Sequence, residues 1–260
     1  SYFGDDKKLD KKNGSRIKLE YATTLKEETE QRSEPDFDIK VRFRQLENKL
    51  NFKFNTVKEG EDETLENQQS SGQKKESTPL ENAIYRASIG FFKEQGRIWS
   101  FSVDTGVKIE STLTPFAKAR GKRSIYFGET ELRLVNRVLI EDREGVFNYT
   151  DISINRKLAR DFSFTYANKF VWKDSINELT TVHGPSIYQV IDDKQSISYN
   201  FRTRFLNRPN YAITGHEIFA GYRRDMYKRW VFLDLTPGIS YLAESDYSRV
   251  GFFTAKLSAL

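Results

Sequence analysis

The chain has two histidines, His183 and His216, and no cysteine. Any hydrolytic or metal chemistry would start at those two imidazoles. A Ser–His hydrolase needs a serine beside the imidazole and a polar group that orients it. His183-Gly184-Pro185-Ser186 puts a serine nearby in sequence, but the intervening Gly-Pro would make a productive pairing accidental. His216 adjoins Glu217, and neighbouring side chains of an extended strand point to opposite faces. Metal-ligand spacings and Gly-rich phosphate loops are absent. The acids Glu61-Asp62-Glu63 fall in a polar stretch, where solvation accounts for them. No catalytic residue, metal site or cofactor is expected.

The chemistry that remains is positive charge placed at regular intervals. In QSISYNFRTRF, residues 195–205, Ile197, Tyr199, Phe201, Thr203 and Phe205 alternate with Ser196, Ser198, Asn200, Arg202 and Arg204. This is the period-2 pattern of a strand with one apolar and one polar face, and here the polar face is basic. Phe37, Ile39, Val41 and Phe43 likewise oppose Asp38, Lys40, Arg42 and Arg44; Leu50, Phe52 and Phe54 oppose Asn51, Lys53 and Asn55. The same phase collects Arg86, Lys108, Arg133, Arg137 and Lys256 on polar faces, against the acids Asp38, Asp104, Glu131 and Asp234. Bases lining one wall favour anions through their summed field.

Composition fits such strands. Of 260 residues, 37% are hydrophobic, 14% aromatic and 30% charged, with a net charge of +5. Few aliphatics with many aromatics and charges suit alternating strands better than a helical core. The bases are spread along strand faces rather than gathered on one helix or tail, so nucleic acid is not an expected partner. No apolar run approaches the roughly 20 residues of a membrane helix. A barrel strand needs only about 9–11, every second one apolar. A leader, if the chain is exported, has been removed.

Read in order, residues 1–14 are a short charged segment and 15–260 a single domain of strands. The first strand spans about 15–25, 26–34 is a charged loop, and the second and third strands form a tight hairpin. Residues 57–82 form one long polar, mobile loop. Pro115, Gly121 and Gly128 interrupt the pattern over 111–130, where a strand is expected near 115–125. Gly184-Pro185 suggests a bulge or an edge-like distortion in a strand over 178–191. The stretch 211–224 has an ambiguous phase. The total is about fourteen strands, or twelve if the 111–130 or 178–191 region is misread.

Three features favour lipid over a soluble sandwich. Aromatics sit near strand ends, with Tyr85, Trp99, Trp172, Tyr199 and Trp230 as a candidate girdle. The strands are long and follow one another through short turns. Mid-strand Arg and Lys must then face a lumen, because at the lipid-facing midplane each would cost about 2–4 kcal/mol. The expected fold is an all-β, antiparallel, up-and-down transmembrane barrel.

On these residues the chain resembles Gram-negative outer-membrane β-barrel proteins of porin-like kind over about 15–260. The last stretch, VGFFTAKLSAL, looks like the C-terminal strand that such barrels present to the barrel assembly machinery, with Leu260 in place of the usual Phe or Trp. Tyr222-Arg223-Arg224, Trp230-Val231-Phe232 and Pro237 resemble a sparsely described family of these barrels. The resemblance implies residence in the bacterial outer membrane, with outer-membrane lipid and the assembly machinery as partners. The expected function is a passive channel for small anionic solutes, lined by Lys40, Arg42, Arg44, Lys53, Arg86, Lys108, Arg133, Arg137, Arg202 and Arg204. An alternative is a plugged scaffold barrel that anchors a protein partner through the N-terminus or the 57–82 loop. A lipid-modifying enzyme is the third.

Overall fold

A computed structural model describes residues 16–27, 29–42, 50–57, 84–95, 98–109, 112–208, 211–228 and 230–259. The expected segment 1–14 and almost all of the loop 57–82 lie outside them. Fourteen strands follow in order: β1 Arg16–Lys26, β2 Thr29–Arg42, β3 Leu50–Val57, β4 Ile84–Gln95, β5 Trp99–Ile109, β6 Leu113–Phe127 and β7 Thr130–Glu141. The second half holds β8 Gly145–Lys157, β9 Phe162–Lys173, β10 Glu178–Val190, β11 Gln195–Leu206, β12 Ala212–Tyr227, β13 Val231–Leu242 and β14 Arg249–Ala259. Each strand pairs antiparallel with its sequence neighbours, and β1 pairs with β14 from Leu19↔Ala259 to Lys26↔Phe252, which closes the barrel. No sheet edge is left open among the described strands, so their ladders pair within the wall.

The polarity is inverted relative to a soluble protein. Ile89 is 59% exposed and Leu113 67%, while Asp104 and Arg137 are each 2% exposed. The apolar half of the alternation coats the outside and the polar half fills the inside, as a strand spanning lipid around a polar interior requires. Among the described residues no helix is long and apolar enough to cross a membrane.

The strands are steeply staggered. A single lateral row on the outer face runs Trp99, Arg123, Leu134, Ile152, Asn168, His183, Thr203, His216, Tyr241, Arg249. Trp99 opens β5 at the proximal end, where β1 begins and β14 ends. Arg249 opens β14 at the distal end. The row therefore climbs the height of the wall, the shear that a tilted barrel needs.

Several details differ from the sequence reading. Residues 29–34 extend β2 rather than forming a loop, with Ala22↔Glu34, Thr23↔Ser33 and Thr24↔Arg32 in register. Backbone pairing needs no apolar face, so a strand can run on past the end of its alternation. The pairing of β10 with β11 steps over Gly184 and Pro185 and resumes in the same register, His183↔Thr203 then Ser186↔Asn200. Proline removes a donor without inserting a residue, so there is an interruption and no bulge. A register shift lies instead where β11 meets β12, between Arg204 and Phe205, as others do at Thr24/Lys26 and Asp225/Tyr227. It brings both Ile213 and His216 opposite outward residues, which explains the ambiguous phase of 211–224.

Candidate functional site

The candidate site is the inner wall, where extended backbone sends every second side chain inward. Of the residues expected there, Lys53, Arg86, Lys108, Arg133, Arg137, Arg202 and Arg204 lie on this face, as their register with other inward residues shows. Lys40 and Arg42 pair along the backbone with Lys53 and Asn51; their side chains, and all of Arg44, lie outside the described residues. Many of these bases are engaged. Lys53 donates to Asp104 at 2.8 Å. Gly90 leaves room for that carboxylate, since a Cβ there would sit 1.9 Å from Asp104 Oδ1.

Toward the distal mouth, Arg86 pairs with Glu141. Lys108 lies 3.7 Å from Glu141 and 2.5 Å from Glu144 of the β7–β8 turn. Burial opposes ionisation of Glu144, but the Lys108 ammonium, with Lys173 and Arg86 behind it, outweighs that and lowers its pKa below the ordinary carboxylate range. Near the seam, Lys256 lies 3.1 Å from Glu20 and 4.0 Å from Asp234, and Arg223 is 3.6 Å from Asp234. Arg133 holds Glu131 at 3.0 Å on its own strand.

Inward aromatic rings support the bases. Guanidinium groups stand over Phe116 (Arg86, 5.1 Å), Tyr149 (Arg137, 5.3 Å), Phe219 (Arg202, 4.6 Å) and Phe232 (Arg223, 4.7 Å). Ring faces attract cations, so each pair fixes where a guanidinium sits. Sequence reading missed Glu141 although it shares the odd phase of Glu131, Arg133 and Arg137. It also left Lys118, Arg120 and Lys122 unplaced, because Pro115 and Gly121 hide the alternation of β6. The register puts all three on the inner wall, opposite Asp104, Ser102 and Ser100.

Neither histidine meets the serine or acid beside it in sequence. His183 lies on the outer face, tilted against Phe205 with ring centroids 4.8 Å apart. Ser186, an odd number of residues away on the same strand, belongs to the inner face. His216 is also outward: its Nδ1 is 3.0 Å from Thr203 Oγ1 and its ring stacks on Phe201, while Glu217 points inside opposite Arg202. Among the described residues no three His, Asp or Glu side chains gather as metal ligands. Of the aromatic candidates, Trp99 and Trp230 lie at the proximal end and Tyr85 and Trp172 at the distal end; Tyr199 faces outward partway along β11.

No protein-family model matches the chain, and no curated protein matches it. Solved structures do. CymD, a monoaromatic hydrocarbon channel, is similar at a TM-score of 0.54 and 8% identity, over 93% of this chain and 86% of that one. The outer-membrane-expressed OmpT of Vibrio cholerae is similar at 0.51 and 11%, over 94% and 97%. The KdgM porin, solved with disordered oligogalacturonate, stands further off at 0.43 and 8%, over 94% and 98%. At such identities the likeness is one of fold: the chain has the closed antiparallel β-barrel fold of CymD and OmpT, with an apolar outer face.

Proposed function

We propose that this barrel is a passive, non-enzymatic channel for small anionic solutes. The observation that carries the reading is Arg120 directly opposite Arg137 across β6 and β7. Like charges in that position destabilise a sheet, and Arg120 Nε has no hydrogen-bond partner among the described residues. Lys169 follows on β9 beside Asp151, and Arg202 and Arg204 on β11. A stripe of bases in this arrangement, with Asp151 and Glu217 among them, favours an anion that lies against it. Fourteen strands also enclose more than the roughly eight whose interior side chains fill. A hydrolase reading has no support from the histidines.

Single-channel conductance in a planar bilayer, under a salt gradient, tests this. The expected result is steady conductance with a reversal potential of anion-selective sign, which moves toward cation selectivity in Arg120→Glu and in the Arg202→Glu/Arg204→Glu double variant. A folded barrel that conducts nothing overturns the channel and leaves the plugged scaffold, with partner capture through residues 1–14 or 57–82. Conductance indifferent to these reversals overturns the anion path.

A further inference from the structure

We infer that the outer face of β5–β7 carries a binding site for an anionic phospholipid, with an acyl chain over Gly121 and the phosphate on Arg123. Six outward residues form the site in two lateral rows: Trp99, Arg123 and Leu134 in one, Phe101, Gly121 and Asn136 in the next. They line a groove of about 430 Å³. Gly121 opens it, because its neighbours carry side chains and it does not. The fold does not demand that glycine. A Cβ at Gly121 would meet nothing within 4 Å, whereas one at Gly106 or Gly184 would strike backbone at 2.0 or 1.9 Å.

The walls of the groove are Phe101, Leu134 and the ring of Trp99, which suit a hydrocarbon chain. Asn136 does not spoil the floor: its amide is turned to Asn148 Oδ1 and Thr150 Oγ1, both at 2.8 Å. Arg123 is the one charge among these six; Lys122 also borders the groove, but its side chain belongs to the inner face. It is exposed, and no described residue forms an ion pair with it. An outward arginine on a membrane wall is costly unless its head reaches the interface and an anion there. Trp99 and Arg123 lie where β5 begins at the proximal end, the level at which tryptophan anchors to headgroups. A phosphate there answers the charge of Arg123, and the chain attached to it runs along the strand into the apolar groove. A free anion satisfies Arg123 but not the groove, and a neutral lipid the groove but not Arg123.

Native mass spectrometry of the refolded full chain tests the site with phosphatidylglycerol, phosphatidylcholine and inorganic phosphate as probes. Phosphatidylglycerol is expected to be retained over phosphatidylcholine by about fivefold, the worth of one basic side chain at an anionic surface. Arg123→Gln should abolish that preference, and Gly121→Leu, which fills open space, should reduce retention of both lipids. Arg156→Gln, an exposed outward arginine on β8, serves as control and should change nothing. Unboiled gel mobility confirms that each variant is folded. The proposal is overturned if both site variants retain lipid like the wild type, or if Arg156→Gln matches Arg123→Gln. Displacement of the lipid by inorganic phosphate at equal concentration, or a lipid-free dimer, also overturns it.

Discussion

Glu141 shows how tightly single residues set the inner wall. It is 3% exposed and faces both Arg86 and Lys108. Replacing it by Gln leaves the guanidinium buried over Phe116 without its counter-charge. Breaking a buried pair from one side costs about 3 kcal/mol, and Glu141→Gln is expected to lose that much in urea unfolding followed through the outward tryptophans. A loss within about 0.5 kcal/mol, the range of ordinary surface changes, would show that solvent in the lumen already screens the pair. Glu144 acts differently, because it closes the β7–β8 turn onto Lys108 through a group that titrates. Its pKa is depressed by Lys108, so the contact is present above the ordinary carboxylate range and is lost as pH falls through the lowered value. The chain has no cysteine, so a nitroxide on Asp142→Cys reports this turn alone. The label should gain mobility only under acid conditions in the wild type and be mobile at every pH in Glu144→Gln. A pH-independent spectrum in the wild type would sink the idea.

At the scale of elements, legibility followed the alternation. β11 and β7 could be read because their outward residues are mostly apolar or aromatic over long runs, and period 2 then fixes the inner face. β6 could not, because Ala117, Ala119 and Gly121 give its outer face too little side chain to mark a phase. Charge partners were less legible still. Lys53–Asp104 and Arg86–Glu141 join residues 51 and 55 apart in sequence, and only the shear of the barrel brings them level. Glycines were legible as interruptions but not by role. Gly184 faces the carbonyl of Phe201, which a Cβ would approach to 1.9 Å, and Gly121 faces open space. Gly184→Ala is therefore expected to cost about 1–3 kcal/mol, as overpacking does, while Gly121→Ala stays within about 0.5 kcal/mol. Parallel denaturant titrations check this; equal costs would mean that the β10–β11 spacing yields freely.

For the whole molecule, closure is the step that turns a meander into a barrel, and its seam differs from the other strand pairs. β1 and β14 are joined by backbone bonds and by a polar inner cluster: Thr24 with Thr254 at 3.0 Å, Ser258 donating to Glu20 at 2.8 Å, and Lys256 between Glu20 and Asp234. The two strands are far apart in sequence, so their meeting comes after the local hairpins and bears the largest loop-closure cost. Lys256 is the charge that lets two acids from different neighbours share one seam. Lys256→Glu sets three carboxylates together in that place, where like charges repel at short range. The expected result is a greatly reduced compact, heat-modifiable band on unboiled gels after refolding. Lys256→Gln should keep that band, because Glu20 retains Lys18 at 3.2 Å and the Ser258 hydroxyl. If Lys256→Glu folds as fully as the wild type, the inner cluster does not govern closure, and the backbone register of β1 against β14 suffices by itself.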